Sequence, residues 1–314
     1  MNTLTKKYNT EQQSKPARIL ITDSGTGGLS VCADIASRIK KHSAISAELI
    51  YFNAWPSADF GYNKLKDTAA RAAVFNNALN SMMRFSPDVI VIACNTLTAV
   101  YPYTEFSRNE PIPVHGIIKT GVDCIEEAVR QNTDMPVIIF GTPVTIESEM
   151  YHKCLKERGI IIKKIISQQC PGLAGEIETN PVSSKTAESI RRYCLEAAEK
   201  LSGIDAVPGA ALCCTHFGYA ASLFQNTLSE YTGKETRIIN PNVYLGKKIF
   251  DTYILTRDNI SRDNHDRLVC TVHSQIPWDT AKRTVYHDIF INISPETARA
   301  VLHYTFNPEL FKVF

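Results

Sequence analysis

Four short polar segments each close an apolar, strand-like run in this sequence. Asp23-Ser24 follows RILIT, Cys94-Asn95-Thr96 follows DVIVIA, Gly141-Thr142 follows VIIF and Cys214-Thr215-His216 follows GAALC. Ligands of open α/β sheets bind outside the carboxyl ends of the strands, so four such tips can converge on one pocket. Together they offer two thiols, a carboxylate, an imidazole and several hydroxyl or amide donors, and no Lys or Arg. A single strand-end Cys is most often a small buried hydrophobe. Two at matching positions suit a stereoinversion: one thiolate removes a proton from a carbon and the opposite thiol returns one to its other face. Each sulfur would lie about 3–3.5 Å from the reacting carbon and so roughly 7 Å from its mate. Cys94 and Cys214 each precede an expected helix, whose N-terminus favours a thiolate. His216, two residues after Cys214, would support that thiol or relay a proton. Asp23 would orient a substrate amine or act on Cys94, unless it only caps the next helix.

The remaining chemistry-bearing residues suggest less. Cys32, Cys124, Cys154, Cys194 and Cys270 fall inside expected helices or strands. Cys213 should face the core beside Cys214, because strand neighbours point to opposite faces. Cys170, before Pro171, stays open. The loop Ser24-Gly25-Thr26-Gly27-Gly28 lacks the Lys-Ser/Thr of a phosphate loop, and no GxGxxG occurs. Its glycines would instead let backbone N–H groups approach a small carboxylate at a helix N-terminus.

Positioning these tips takes an alternation of strands and helices. Strands are expected at Arg18–Thr22, Glu48–Phe52, Asp88–Ala93, Val114–Ile118, Val137–Phe140, Ile160–Ile166, Ala206–Cys213 and Leu268–His273. Helices are expected at Leu29–Lys40, Asp67–Phe85, from about Ile146, and at Lys185–Leu201, Val243–Leu255 and Pro295–Tyr304, with a charged loop over 256–267. Such alternation implies βαβ units and parallel sheets. The order repeats: Asp23 to Cys94 spans 71 positions and Thr142 to Cys214 spans 72. Each half has a strand with a polar loop, then a later strand ending in Cys, so two similar lobes facing across a cleft are expected.

Composition narrows the function classes. The 314 residues are 44% hydrophobic and 21% charged, ordinary globular usage. With 34 basic and 32 acidic residues the net charge is +2, too small to point to nucleic acid or an anionic membrane. No run of about 18 apolar residues suggests a membrane span. Residues 1–17 are polar, without the apolar core of a secretory signal, and read as a flexible lead-in. Nine Cys at irregular spacing, with no CxxC or HxxxH, suggest neither a disulfide framework nor a metal site. Free thiols in the cytoplasm are expected.

The motifs resemble those of glutamate racemases, in the cofactor-independent aspartate/glutamate racemase superfamily. Asp23 to Val31 (DSGTGGLSV) resembles the family's DSGxGGLSV, and Ala93-Cys94-Asn95-Thr96 its ACNT. Gly141-Thr142-Pro143-Val144-Thr145 resembles its GTxxT, and Cys214-Thr215-His216 its CTH. Tyr51-Phe52 with Gly61 resembles the YFGD…PYG segment, and Cys170-Pro171 followed by Glu178 the CP…E segment. The similarity runs from about Arg18 to Leu245.

The resemblance implies two pseudo-symmetric α/β lobes with parallel sheets and the active site in the cleft between them. Residues 18–116 with 228–314 would form one lobe, and 117–227 a second lobe inserted into it. Cys94 and Cys214 would be the acid/base thiols, assisted by Asp23 and His216, with Glu178 supporting His216. Ser24, Phe60, Gly61, Asn95, Thr96, Thr142, Thr145 and Thr215 would hold the substrate. No cofactor and no metal are implied. The partner would be a small amino acid, glutamate or aspartate, and the protein a possible homodimer, with the aromatic tail of Tyr304, Phe306, Phe311 and Phe314 at an interface or on its own core. The implied role is D-glutamate supply for peptidoglycan. Departures keep two other readings open. Asn53-Ala54 stands for Gly-Asp, Asp59-Phe60-Gly61 for Pro-Tyr-Gly, Cys213 for a Gly before the second catalytic Cys, and Asn240 for the usual Asp. These fit a relative acting on aspartate or another small acid, or an altered binding or regulatory homologue.

Overall fold

The computed structural model describes residues 16–42, 45–201, 203–255 and 268–313. Most of the lead-in and the whole charged loop at 256–267 therefore lie outside the described residues. Through the first half, β1 (Ala17–Asp23), α1 (Leu29–Lys40), β2 (Ala47–Asn53), α2 (Thr68–Met82), β3 (Val89–Ile92), α3 (Asn95–Val100), α4 (Phe106–Asn109) and β4 (Val114–Gly116) follow one another. Next come α5 (Ile117–Gln131), β5 (Val137–Gly141), α6 (Pro143–Glu147), α7 (Met150–Glu157), β6 (Ile165–Gln169), α8 (Leu173–Thr179), α9 (Ser184–Glu199), β7 (Gly209–Cys213), α10 (Ala221–Thr232) and β8 (Arg237–Ile239). The chain closes with α11 (Pro241–Ile249), β9 (Leu268–Ser274), α12 (Thr280–Phe290), α13 (Pro295–Leu302) and β10 (Thr305–Phe306).

The strands form two sheets, ordered β10-β9-β2-β1-β3-β4 and β6-β5-β7-β8, and every pairing among the described residues is parallel. The segment β2-β1-β3-β4 has the same order as β6-β5-β7-β8, which is the internal repeat in topological form. In each unit the chain passes from the first strand to a neighbour on one side and then crosses back to the other, so the order reverses beside the first strand. Such a switch point opens a crevice at the strand ends. In the first sheet it falls between β1 and β3, where Thr22 pairs Ile92 and the Ala93 N–H donates to Thr22 O at 2.9 Å. In the second it falls between β5 and β7, where Gly141 pairs Cys213. Asp23 is thereby set beside Cys94, and Thr142 beside Cys214.

Alternation along β1 shows why these strands read as continuous apolar runs. Ile19 and Ile21 pack with α1, α11 and α13, whereas Leu20 packs with α2 and α3 on the opposite face. A parallel sheet covered on both faces has no face left for polar residues. β5 divides in the same way, Phe140 against Phe217 and Phe224, and Ile139 against Val122 and Ile125.

Several boundaries differ from expectation. β1 starts at Ala17, inside the expected lead-in. β4 stops at Gly116 and α5 takes Ile117 and Ile118. β6 is shifted to Ile165–Gln169; as an edge strand it tolerates Ser167, Gln168 and Gln169. β7 starts only at Gly209, because Pro208 has no N–H for the ladder; the Gly209 N–H donates to Pro136 O at 2.8 Å. The helix expected from Ile146 is two, α6 and α7, separated by Glu149 in the left-handed region at φ 54°. Cys214 leads into a 3-10 segment, Thr215–Ala220, before α10 begins. β8 at Arg237–Ile239 pairs with β7 in the second sheet. β9 returns to the first sheet, paired with β2 throughout. The tail packs on its own chain: Phe311 is buried with its ring centroid 5.9 Å from that of Phe52, and Tyr304 stacks on Trp278 at 4.9 Å, while Phe306 is exposed. Phe314 lies outside the described residues.

Candidate active site

Cys94 stands at the N-terminus of α3 and is 5% exposed. Its Sγ accepts from the Leu97 N–H at 3.4 Å and lies 3.2 Å from Ser24 Oγ. The helix-end amide is present as expected, but it does not prevail. Burial and the Asp23 carboxylate push the Cys94 thiol well up, while the Ser24 hydroxyl and the Leu97 amide pull the other way. One amide of a six-residue helix cannot replace the hydration that burial removes.

Cys214, 6% exposed, is held differently. Its Sγ lies 3.9 Å from His216 Nδ1, and His216 Nε2 lies 2.7 Å from Glu178 Oε2. Glu178 Oε1 accepts from Lys282 Nζ at 2.5 Å, and Oε2 also accepts from the Thr26 N–H at 3.2 Å. The carboxylate that the glycine-rich loop approaches with a backbone N–H is thus the protein's own. Burial would raise the Glu178 carboxyl, but Lys282 and His216 hold it down at about 2. Burial would lower His216, but Cys214 and Glu178 raise it to about 10, so the imidazole carries a proton at neutral pH. The segment after Cys214 is 3-10, so this thiol faces a protonated imidazole rather than an α-helix N-terminus.

The glycines explain how the two lobes come this close. A Cβ at Gly25 would stand 2.3 Å from Glu178 Oε2 and 3.1 Å from the His216 ring, and one at Gly27 2.3 Å from Thr215 Oγ1. Only a loop without side chains at these two positions lets the first lobe touch the His216 arm. Asp23 completes the seam. It accepts from Thr215 Oγ1 at 2.7 Å through Oδ2, and its hydrogen-bonded partner is that hydroxyl rather than Cys94. Burial raises the Asp23 carboxyl to about 6, although His216 and the Thr215 hydroxyl favour its ionised form.

The expected substrate residues fall into three groups. Thr96, Thr142 and Thr145 form a hydroxyl chain, with Oγ1 to Oγ1 distances of 3.0 Å from Thr142 to each of the other two. Thr142 also caps α6, accepting from the Thr145 N–H at 3.3 Å. Asn95 Oδ1 accepts from Tyr151 OH at 2.6 Å, and Asn95 Nδ2 is buried with no hydrogen-bond partner among the described residues. Phe60 and Gly61, with Thr142, Glu178 and His216, line a cleft of about 1000 Å³. Trp55, Asp59, Lys64, Trp278, Asp279 and Lys282 line it too, and neither Cys94 nor Cys214 is among the lining residues. Asp59 is exposed there, and Gly61 is required by the Trp55 ring, 2.6 Å from where a Cβ would stand. Asn240 caps α11, accepting from the Asn242 N–H at 3.1 Å. Cys213 is buried in the core with Tyr151, as expected.

The sequence reading passed over Lys282, Trp278 and Tyr286. Only one signal marks them, a polar helix start (Asp279 with Lys282) after a strand that returns to the first sheet. Among the described residues no cluster of three or more His, Cys, Asp or Glu could hold a metal ion. Among those residues, too, no helix is long and apolar enough to cross a membrane.

The Asp/Glu/hydantoin racemase family matches residues 19–242, and the chain belongs to it. It is 28% identical over 249 residues to a glutamate racemase of Campylobacter jejuni, covering 79% of this chain and 88% of that protein. With a glutamate racemase of Aquifex aeolicus it shares 27% over 211 residues, 67% of this chain and 75% of the relative. Solved structures share the fold. Glutamate racemase isoform RacE1 of Bacillus anthracis has a TM-score of 0.66 at 20% identity, covering 88% of this chain and 93% of that one. The Francisella tularensis glutamate racemase in complex with D-glutamate scores 0.65 at 18% identity, covering 93% and 95%. The two-sheet α/β architecture is that of the glutamate racemases, and the chain is a glutamate racemase-like enzyme of the racemase class.

Proposed function

We propose that the protein is a cofactor-independent racemase interconverting L- and D-glutamate through Cys94 and Cys214. The observation that carries this reading is the matched placement of two thiols. Each ends the third strand of a topologically equivalent sheet unit, and each is contacted by an acid/base or hydroxyl partner, Ser24 for Cys94 and His216 for Cys214. One thiolate removes the α-proton, and the electron pair passes toward the α-carboxylate. The opposite thiol then delivers its proton to the other face, leaving the two sulfurs with exchanged protonation. The α-ammonium, beside Cys94 and Asp23, would supply the positive charge that favours the Cys94 thiolate, which burial and the Asp23 carboxylate disfavour. Hydroxyls of Thr96 and Thr142 and the buried Asn95 Nδ2, which has no partner among the described residues, support the developing charge.

In this reading the first sheet, with β9 and β10, forms one lobe, and 117 to about 239 the inserted one. Its product would feed peptidoglycan synthesis. The nine cysteines are all free, as suits a reducing cytoplasm. Exposed Asp59 in the cleft wall favours one alternative, a substrate with a shorter acidic side chain such as aspartate. Purified protein incubated with L-glutamate and, separately, L-aspartate in D2O should lose the α-proton signal and optical rotation on glutamate. Cys94→Ser and Cys214→Ser should each abolish racemisation. Exchange on aspartate alone moves the substrate, and a racemising single mutant defeats the two-thiol mechanism.

A further inference from the structure

We infer that Lys282 is a positioning residue for the Cys214 arm, acting through Glu178 on the His216 imidazole. The inference rests on the two-thiol reading and adds a part that lies beyond the residues matched by the family, 19–242.

Helix α12 grips Glu178 at two points one turn apart. Lys282 Nζ binds the carboxylate Oε1 at 2.5 Å, and Tyr286 OH donates to the Glu178 backbone carbonyl at 3.3 Å. The first turn of α12 is itself fixed, because Asp279 Oδ1 accepts from the Lys282 N–H at 2.7 Å. The Trp278 ring lies 5.3 Å below the ammonium and limits where it can swing. With Oε1 occupied, Oε2 is left to face His216 Nε2 and the Thr26 N–H. The Lys282 and Glu178 side chains are only 23% and 16% exposed, so water does little to screen the pair.

The charge count gives the contact its consequence. Lys282 with Glu178, and protonated His216 with the Cys214 thiolate, make two neutral pairs. Without Lys282 the same cluster carries one excess negative charge, and forming the thiolate costs more. Other titratable groups around it include Asp23 on β1, Tyr51 on β2, Cys170 after β6, Tyr219 in the 3-10 segment, Asp279 and Tyr286 at and on α12, and Asp59 and Lys64 in the wall of the same cleft. Burial pushes Cys170 and the three tyrosines well up, which keeps them neutral. Among the described residues no Lys or Arg pairs with Asp23, so the Cys94 arm has no counterpart to Lys282.

The test compares wild type, Lys282→Met and Lys282→Arg in two measurements. Rates of α-proton exchange are followed against pH, starting from each enantiomer of glutamate. In Lys282→Met, the acid limb of the rate, on which activity rises with pH as the attacking thiolate forms, should move up by about one pH unit when the reaction starts from the enantiomer whose α-proton Cys214 removes. From that enantiomer the rate should be about tenfold down near neutrality and recover at higher pH. Lys282→Arg should restore the wild-type limb. A uniform loss in both directions at every pH indicates a merely structural role and overturns the inference, as does an unshifted limb. The second measurement needs no turnover: thiolate ultraviolet absorbance is titrated with and without Cys214→Ser, to isolate that sulfur. It should show the same upward move in Lys282→Met. If wild type exchanges neither glutamate nor aspartate, the racemase reading fails, and the thiolate titration alone decides the role of Lys282. No displacement there overturns it.

Discussion

Asp23→Asn should make the protein more stable at neutral pH while it weakens catalysis. Asp23 is fully buried, and its carboxyl is raised from 3.8 to about 6, chiefly by burial. A group raised on folding contributes stability that is complete below its unfolded value and is lost as pH rises through its folded value. The wild-type fold should therefore weaken between 3.8 and about 6. At about 1.4 kcal/mol per pH unit, the loss comes to about 3 kcal/mol. Asparagine mimics the protonated acid, keeps an oxygen to accept from Thr215 Oγ1, and never ionises. Urea denaturation of both proteins across this range should give equal stabilities at the acid end. Above about pH 6 the variant should lead by about 3 kcal/mol. Exchange in D2O should meanwhile fall if, as proposed, the Asp23 carboxylate stands beside the substrate ammonium. An Asp23→Asn protein no more stable than wild type above pH 6, or one whose lead is the same at all pH values, would refute the reasoning. Sites that store such a cost commonly hold it for function.

Two further substitutions probe the other arm. Gly25→Ala places a Cβ 2.3 Å from Glu178 Oε2 and must displace a carboxylate pinned by His216, Lys282 and the Thr26 amide. It should cost about 1–3 kcal/mol in urea denaturation and slow exchange on glutamate; unchanged behaviour in both would show that Glu178 is free to move. Glu178→Gln removes a carboxylate held at about 2 against an ordinary 4.5, a contribution present above 4.5 and lost as pH falls through 2. It should therefore lower stability at neutral pH by about 3 kcal/mol. In the same variant the His216 ring, followed by NMR, should titrate well below its wild-type value of about 10, toward 6.5. An unmoved ring signal would deny Glu178 its role.

Much of the fold was legible because its signals are local. Buried parallel strands need unbroken apolar runs, and Arg18–Thr22, Asp88–Ala93 and Val137–Phe140 supply them within a residue or two of β1, β3 and β5. Sequence misplaces β6 and leaves out β8, where local signals are weak. β6 is an edge that admits glutamines, and β8 is only three residues long. The nearly equal spacings of Asp23 to Cys94 and Thr142 to Cys214, 71 and 72 positions, point to two similar halves from sequence alone.

What the sequence by itself determined is therefore the apolar runs, the polar tips that end them, and the repeat that makes two thiols equivalent. These depend on residue type and on periods of a few positions. Partners and charge states were decided by tertiary structure alone. Asp23 meets Thr215 across 192 positions, Lys282 meets Glu178 across 104, and Cys94 is disfavoured as a thiolate despite its helix-end position. Desolvation and ion pairing depend on which distant segments exclude water from a group, and no local pattern records that.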